Sequence, residues 1–261
     1  MNESNFKRAA EIIWNCWEEG EVIKNLPIDL QPKSRTEAYN IQQYYEEFSK
    51  KGILGWKIAA TSLAGQKHIG VSGPLAGRLL QEKVLNKDDF LKIGSNRMSV
   101  AEPEFAFKMS TALKPKTKKY SQDEVVNSVE SLFSAIELPD SRFLKFNQAG
   151  EFNLIADNAC AHAFILGTKM PEIWRTLDLS KHSVNISVES RDINYGIGSN
   201  VMGDPRLALT WLVNELSKNN ITLNSGSIVS TGTLSTPIPF KTGDIVKADY
   251  GILGNFKVKF L

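Results

Sequence analysis

Two glutamates one residue apart, in the run Ser99-Val100-Ala101-Glu102-Pro103-Glu104-Phe105-Ala106-Phe107, constrain this chain more than any other stretch. The run reads as a β-strand, whose side chains alternate between two faces. Glu102, Glu104 and Ala106 then share one face, and Pro103, Phe105 and Phe107 the other. An aromatic face buries the strand on that side, where unpaired charge is costly, and two neighbouring carboxylates repel each other. One resolution is an exposed edge strand with both acids in water. The other is a divalent cation, and carboxylate oxygens suit Mg²⁺ or Mn²⁺. A further acid, Glu137, lies between Ile136 and Leu138 in an apolar, strand-like setting. It either pairs with a cation such as Arg142 or completes a metal site.

A chain of 261 residues can bury a sizeable core as one domain, or as one domain with a small appendage. Apolar content of 42% and charged content of 23% are ordinary for a soluble globular protein. The balance of 31 basic against 29 acidic residues argues against a nucleic-acid partner. The one dense basic run, Lys114 to Lys119, reads as a solvated loop before a helix. Cys16 and Cys160 make no disulfide framework, which points to a reducing compartment. No apolar signal core or membrane-length run is present, so the expected location is cytoplasmic, with no membrane partner.

Helical spacing of Phe6, Ala9, Ala10, Ile13, Trp14 and Trp17 predicts a helix over residues 3–19, stopped by Gly20. Ser34 and Glu37 have capping-box spacing and open a second helix that runs to Gly52. Residues 1–52 are therefore expected to form a helical N-terminal region, and residues 53–261 the core. The core opens with an apolar strand, Ile53 to Ala60, interrupted by Lys57, which either snorkels to water or sits at a site. A short helix is expected within Thr61–Ile69, closed by Gly70, and Gly73 to Arg78 is expected to be a loop. A second capping box, Ser121 with Glu124, opens a helix with Val125, Val126, Val129, Leu132 and Phe133 inward. Asp204-Pro205 caps another helix, and Ser183–Glu189, Ile228–Thr233, Ile245–Tyr250 and Asn255–Leu261 read as strands. Many short strands with few helices argue for an α+β fold and against a doubly wound parallel sheet.

Several of these segments together resemble a known family. Gly55-Trp56-Lys57-Ile58 with Thr61-Ser62, the Glu102-Pro103-Glu104 strand, and Ala135-Ile136-Glu137 with Asp140-Ser141-Arg142 carry the likeness. Asp157-Asn158-Ala159 and Gly243 to Gly251 extend it, so that it runs from about Ser4 to the C-terminus. The chain resembles the 2-keto-4-pentenoate hydratase and 4-oxalocrotonate decarboxylase group of the fumarylacetoacetate hydrolase superfamily. The resemblance implies a small helical N-terminal region before a mixed β-roll core. It implies Mg²⁺ or Mn²⁺ held by Glu102, Glu104 and Glu137 and chelated by a 2-oxo acid, with Lys57 as donor or proton carrier beside it. It further implies substrate contacts from Thr233 and Cys160, and a homo-oligomer able to associate with a sister hydratase or decarboxylase.

Two departures shift the expectation. Hydratases of the group commonly carry Pro-Asp-Phe-Gly where this chain has Pro74-Leu75-Ala76-Gly77, and Leu75 cannot transfer a proton. Cys160 stands where a serine often follows Asp-Asn-Ala, and a thiol is the weaker donor. His162 is a candidate to replace the missing acid–base group, its alternative being a structural histidine. Arg78 is either the holder of a distal carboxylate or a surface arginine. The expected activity is that of a metal-dependent lyase of the hydratase type. The alternatives are a 2-oxo acid decarboxylase, a carbon–carbon hydrolase, and a non-catalytic partner subunit.

Overall fold

The computed structural model describes residues 1–88, 90–92 and 94–261, with the backbone alone for Phe90. Helix α1 (Glu3–Glu19) begins at Asn2, whose side chain accepts the Asn5 N–H, and ends at Gly20. There a left-handed φ of +71° lets the Gly20 N–H reach Cys16 O. Its buried stripe includes Ala9, Ala10, Ile13 and Trp17, as the spacing predicts. Helix α2 (Arg35–Gln42) opens on Ser34, which accepts the Glu37 N–H. The Glu37 carboxylate instead takes the Lys33 N–H and the N-terminal ammonium, so the capping box is only half made. The expected continuous helix breaks after Gln42 and resumes as α3 (Tyr45–Phe48), where Trp14 and Trp17 pack on Tyr45.

Strand β1 (Ile53–Ala59) is followed by α4 (Leu63–Ile69), capped by Ser62 and closed at Gly70 as expected. The expected loop at Gly73–Arg78 is instead largely strand β2 (Leu75–Leu80), wholly buried and antiparallel to β1. Short β3 (Val84–Leu85) and β4 (Phe90–Leu91) precede β5 (Val100–Met109), which carries Glu102 and Glu104. The second capping box is complete, but helix α5 (Gln122–Val126) is brief. Val129, Leu132 and Phe133, expected on that helix, lie on β6 (Val129–Leu138). A short apolar run has no periodicity that separates the two states, and pairing along β5 decides it here. After α6 (Glu151–Ala156) come β7 (Ala163–Lys169), β8 (Ser183–Val188), β9 (Ile193–Ile197) and α7 (Pro205–Lys218). Strands β10 (Ile228–Thr233), β11 (Ile238–Pro239), β12 (Ile245–Asp249) and β13 (Asn255–Phe260) complete the chain.

Among the described residues the strands form two mixed sheets. One runs β2-β1-β10-β5-β6-β7-β3, with β11 also paired to β5, and the other runs β4-β13-β12-β8-β9. The first is curled: Leu79 of β2 and Phe164 of β7, from strands far apart on that path, share a small apolar cluster with Ala106, Ala135 and Ile228. Its other face joins a continuous core in which Phe105, Phe107 and Ile136 pack with residues of the N-terminal helices. Pro103 cannot donate to a ladder, and it lies just past the last β5–β10 pair, Glu104 with Thr233. The fold is thus α+β, a curled mixed sheet with few helices. Among the described residues no helix is long and apolar enough to cross a membrane.

Candidate metal centre

Strand alternation and register build the site. Glu102 lies directly across from Glu137, and Glu104 from Ala135, in the antiparallel β5–β6 pair. Lys57 of β1 is level with Ser230 of β10, which is level with Ala106 of β5. All of these project from the face that carries the small apolar cluster, so the acids and the lysine stand on a dry floor. Carboxylate oxygens of Glu102, Glu104 and Glu137 lie within 4.8 Å of one another. That is roughly the span across a hard cation with ligands at about 2.1–2.6 Å.

Glu104 and Glu137 have oxygen to spare. Glu104 Oε2 accepts the Ser230 hydroxyl and the Gly232 N–H, the latter at 2.9 Å, while its buried Oε1 has no hydrogen-bond partner. Gly232 reaches this position with φ +103°, and a Cβ there would come within 2.3 Å of Thr61 Oγ1. Glu137 is 1% exposed, and its Oε2 has no hydrogen-bond partner. Lys57 Nζ stands 2.9 Å from Glu137 Oε1, a close buried ion pair. Buried acceptors left bare are rare in folded proteins, and a cation is one of the few partners that could serve all three.

The electrostatics point the same way. Burial, and then the charge of Glu137, push Glu102 up to about 8 against the pull of Lys57. Burial, with Glu137 and Glu102 beside it, holds Glu104 well above the usual carboxylate range. Burial alone would lower Lys57, but Glu137, Glu104 and Glu102 outweigh it and keep the ammonium charged. Fully ionised, three carboxylates and one ammonium carry two net negative charges, which one divalent cation would balance. The residues present fit such an ion.

Lys57 is 2% exposed, and its second contact is Ala159 O at 3.0 Å. That carbonyl belongs to Asn158-Ala159-Cys160, three consecutive non-glycine residues with positive φ, at 55°, 52° and 59°. Above Lys57 and Glu102 opens a cavity of about 790 Å³, whose walls come from α4, the Pro139 and Phe146 segments, and Thr233 to Pro237. Cys160 and Thr233 both line it. Burial, reinforced by Asp157, pushes the Cys160 thiol up to about 12, so it is a neutral donor. The Thr233 hydroxyl donates to Ser235 O at 2.8 Å.

Two candidates are not brought to this cavity. Arg78 alternates with Gly77, the residue level with Lys57, and so points to the opposite face of the sheet. There it is buried over the Trp56 ring, with Nε on Glu46 and Nη1 on Gln42. It is neither a surface arginine nor free for a substrate. His162 packs on Trp17 with its pKa lowered to about 4, by burial first and then by Arg142 and Lys83. It is structural. Sequence reasoning passed over Ser230, Gly232 and the Ala159 carbonyl. Ser230 interrupts the apolar start of its strand and was open to notice, whereas a backbone carbonyl leaves no mark in a sequence.

No family model matches the chain. It is 27% identical over 228 residues to a 2-keto-4-pentenoate hydratase of Burkholderia vietnamiensis, covering 86% of each chain. It is also 27% identical to a 2-oxo-hept-4-ene-1,7-dioate hydratase of Escherichia coli, over 92% of each. Among solved structures, 4-oxalocrotonate decarboxylase from Pseudomonas putida G7, complexed with magnesium and adipate, superposes with a TM-score of 0.90 at 22% identity. That match covers 100% of this chain and 99% of the other, and at such identity it speaks for the fold alone.

Proposed function

We propose that this chain, which belongs to the 2-keto-4-pentenoate hydratase and 4-oxalocrotonate decarboxylase group of the fumarylacetoacetate hydrolase superfamily, is a divalent-metal-dependent lyase acting on a small unsaturated 2-oxo acid. The observation that carries the proposal is the trio Glu102, Glu104 and Glu137, half-buried at the first and buried at the other two, with bare oxygen on Glu104 and Glu137 and Lys57 beside them. Mg²⁺ or Mn²⁺ held by these acids would supply Lewis-acid stabilisation of negative charge developing on the C2 oxygen of a 2-oxo acid. Glu104, fixed by Ser230 and Gly232, and Glu137, fixed by its strand and Lys57, keep the acids preorganised. Lys57 directs an ammonium at the same region and serves as donor or proton carrier. Cys160 and Thr233 contact the substrate from the cavity wall, whose apolar residues Ile58, Met98, Val100 and Phe146 exclude water from the rest of it.

Hydration is the first reading, and decarboxylation is the second. Leu75 favours the second: it is fully buried where hydratases commonly have an aspartate, so it supplies no proton. We further propose the two-part division at residue 52, a cytoplasmic homo-oligomer, and association with a sister enzyme as the setting for this activity.

Titration calorimetry with oxalate, a mimic of the enolised 2-oxo acid, tests the site. Binding is expected with Mg²⁺ and lost with EDTA; absence of binding in both would bring the non-catalytic subunit forward. Hydration and CO₂ release are then assayed on dienols and 2-oxo-3-enedioates.

The wall also predicts a preference. Among the described residues, Lys57 is the one lysine or arginine lining the cavity. Seating a second carboxylate away from any cation costs more than the roughly 1–3 kcal/mol of an unpaired neutral polar group. With Mg²⁺ present, 2-oxopentanoate should therefore inhibit at least about tenfold more strongly than 2-oxohexanedioate. Equal inhibition would show that the far carboxylate finds donors or water at the cavity mouth.

A further inference from the structure

The strained turn beside Lys57 has a purpose visible in its contacts. A left-handed residue costs about 1–2 kcal/mol when it carries a Cβ. Three in succession persist only where the surroundings over-determine them. Here they do: Arg142 Nη2 donates to Asp157 O, the Asp140 N–H to Cys160 O at 3.0 Å, and Arg142 Nη1 to Ala161 O at 2.7 Å. On the other side Asn158 docks against the backbone of β2. Its Oδ1 accepts the Arg78 N–H at 2.6 Å and its Nδ2 donates to Arg78 O at 2.8 Å. Gly77 makes the close approach possible, because a Cβ on it would lie 2.2 Å from Asn158 O. What this scaffold presents to Lys57 is one group, the Ala159 carbonyl that its Nζ meets.

We propose that Asn158 and Gly77 are positioning residues for Lys57. They lock the left-handed turn against β2, so that the Ala159 carbonyl and Glu137 hold the ammonium from two sides at one point of the site. Neither residue touches the reacting atoms. Without the turn, the lysine retains its charge and Glu137 but loses its fixed direction. The kinetic part of the proposal rests on the lyase reading, whereas the geometric part does not.

The test therefore has two arms. In metal-free protein, acylation of Lys57 by an N-hydroxysuccinimide acetate is followed by mass spectrometry, with exposed lysines as internal standards. Asn158→Ala and Gly77→Ala should speed Lys57 labelling by roughly tenfold or more, as expected for a protected group released by local opening. In the metal-loaded enzyme both should lower kcat by roughly 10–100-fold, the range for a displaced catalytic group. Mg²⁺-dependent oxalate affinity should stay within about threefold, because the acids are untouched, and KM should rise by less than kcat falls, since only Cys160 among the proposed substrate contacts rides on the turn. Folded variants with unchanged labelling and unchanged kcat would overturn the proposal. Faster labelling in a protein whose wild type has no turnover would retain the positioning role and refute the lyase reading instead. Should neither variant fold, wild-type Lys57 still decides: labelling as fast as that of the exposed lysines would overturn the proposal.

Discussion

Glu104→Gln abolishes the Mg²⁺-dependent binding of oxalate and leaves the protein folded. Glutamine has the shape of glutamate, and its amide oxygen can accept the Ser230 hydroxyl and Gly232 N–H that now hold Glu104 Oε2. Its NH₂ group then replaces Oε1, the bare buried oxygen, and offers hydrogens where a cation needs a lone pair. The charge available to a divalent ion falls at the same time from two net negatives to one. A drop in metal-dependent affinity beyond about 100-fold is expected, larger than the 10–100-fold typical of mutating an outer partner of a metal ligand. Metal-free stability should hold or rise, because burial already disfavours the ionised carboxylate. Calorimetry and thermal melting read the two effects separately. Oxalate binding equal to wild type would remove Glu104 from the site.

Lys57→Met retains metal binding and loses about 10²–10⁴-fold in turnover, the range for removing a positioned proton donor. Methionine follows the path of the lysine stem along β1, so packing changes little. What disappears is the ammonium between Glu137 and Ala159 O. In the metal-free variant this leaves a buried carboxylate without its counter-charge, and the loss of stability is on the order of 3–5 kcal/mol. Mg²⁺ should restore part of it by mass action, so the gap in melting temperature narrows as the ion is added. Wild-type turnover in this variant would identify the lysine as a bystander.

The acidic face was legible because it rests on the most robust sequence signal, alternation in a strand. Glu102 and Glu104 share a face, as read, and Glu137 meets them across the β5–β6 pair. Helix ends with a chemical marker, at Gly20, Gly70 and Asp204-Pro205, were equally readable. Errors fell where local and tertiary preferences disagree. Gly73, Pro74 and Gly77 suggested a loop, although Gly77 is there for close approach within β2. Val129 to Phe133 continued a helical pattern from a genuine capping box, and pairing with β5 overrode it. The fate of Arg78 follows from the first error, since a residue assigned to a loop has no face. The left-handed turn at Asn158–Cys160 was beyond reach, because alanine and cysteine carry no preference for positive φ.

The direct apposition of Glu102 and Glu137 across two neighbouring strands also bears on how the chain folds. Like charges opposite one another disfavour a strand pair, so this register is selected in spite of its own site. The apolar pairs farther along the ladder, Ala106 with Phe133, Phe107 with Leu132 and Met109 with Val129, favour it instead. Pairing should therefore nucleate at the apolar end and close last at the acids, leaving a patch of local frustration in an otherwise consistent sheet. An arriving cation would remove that conflict, and would then be the final step of folding as well as the first of the proposed catalysis.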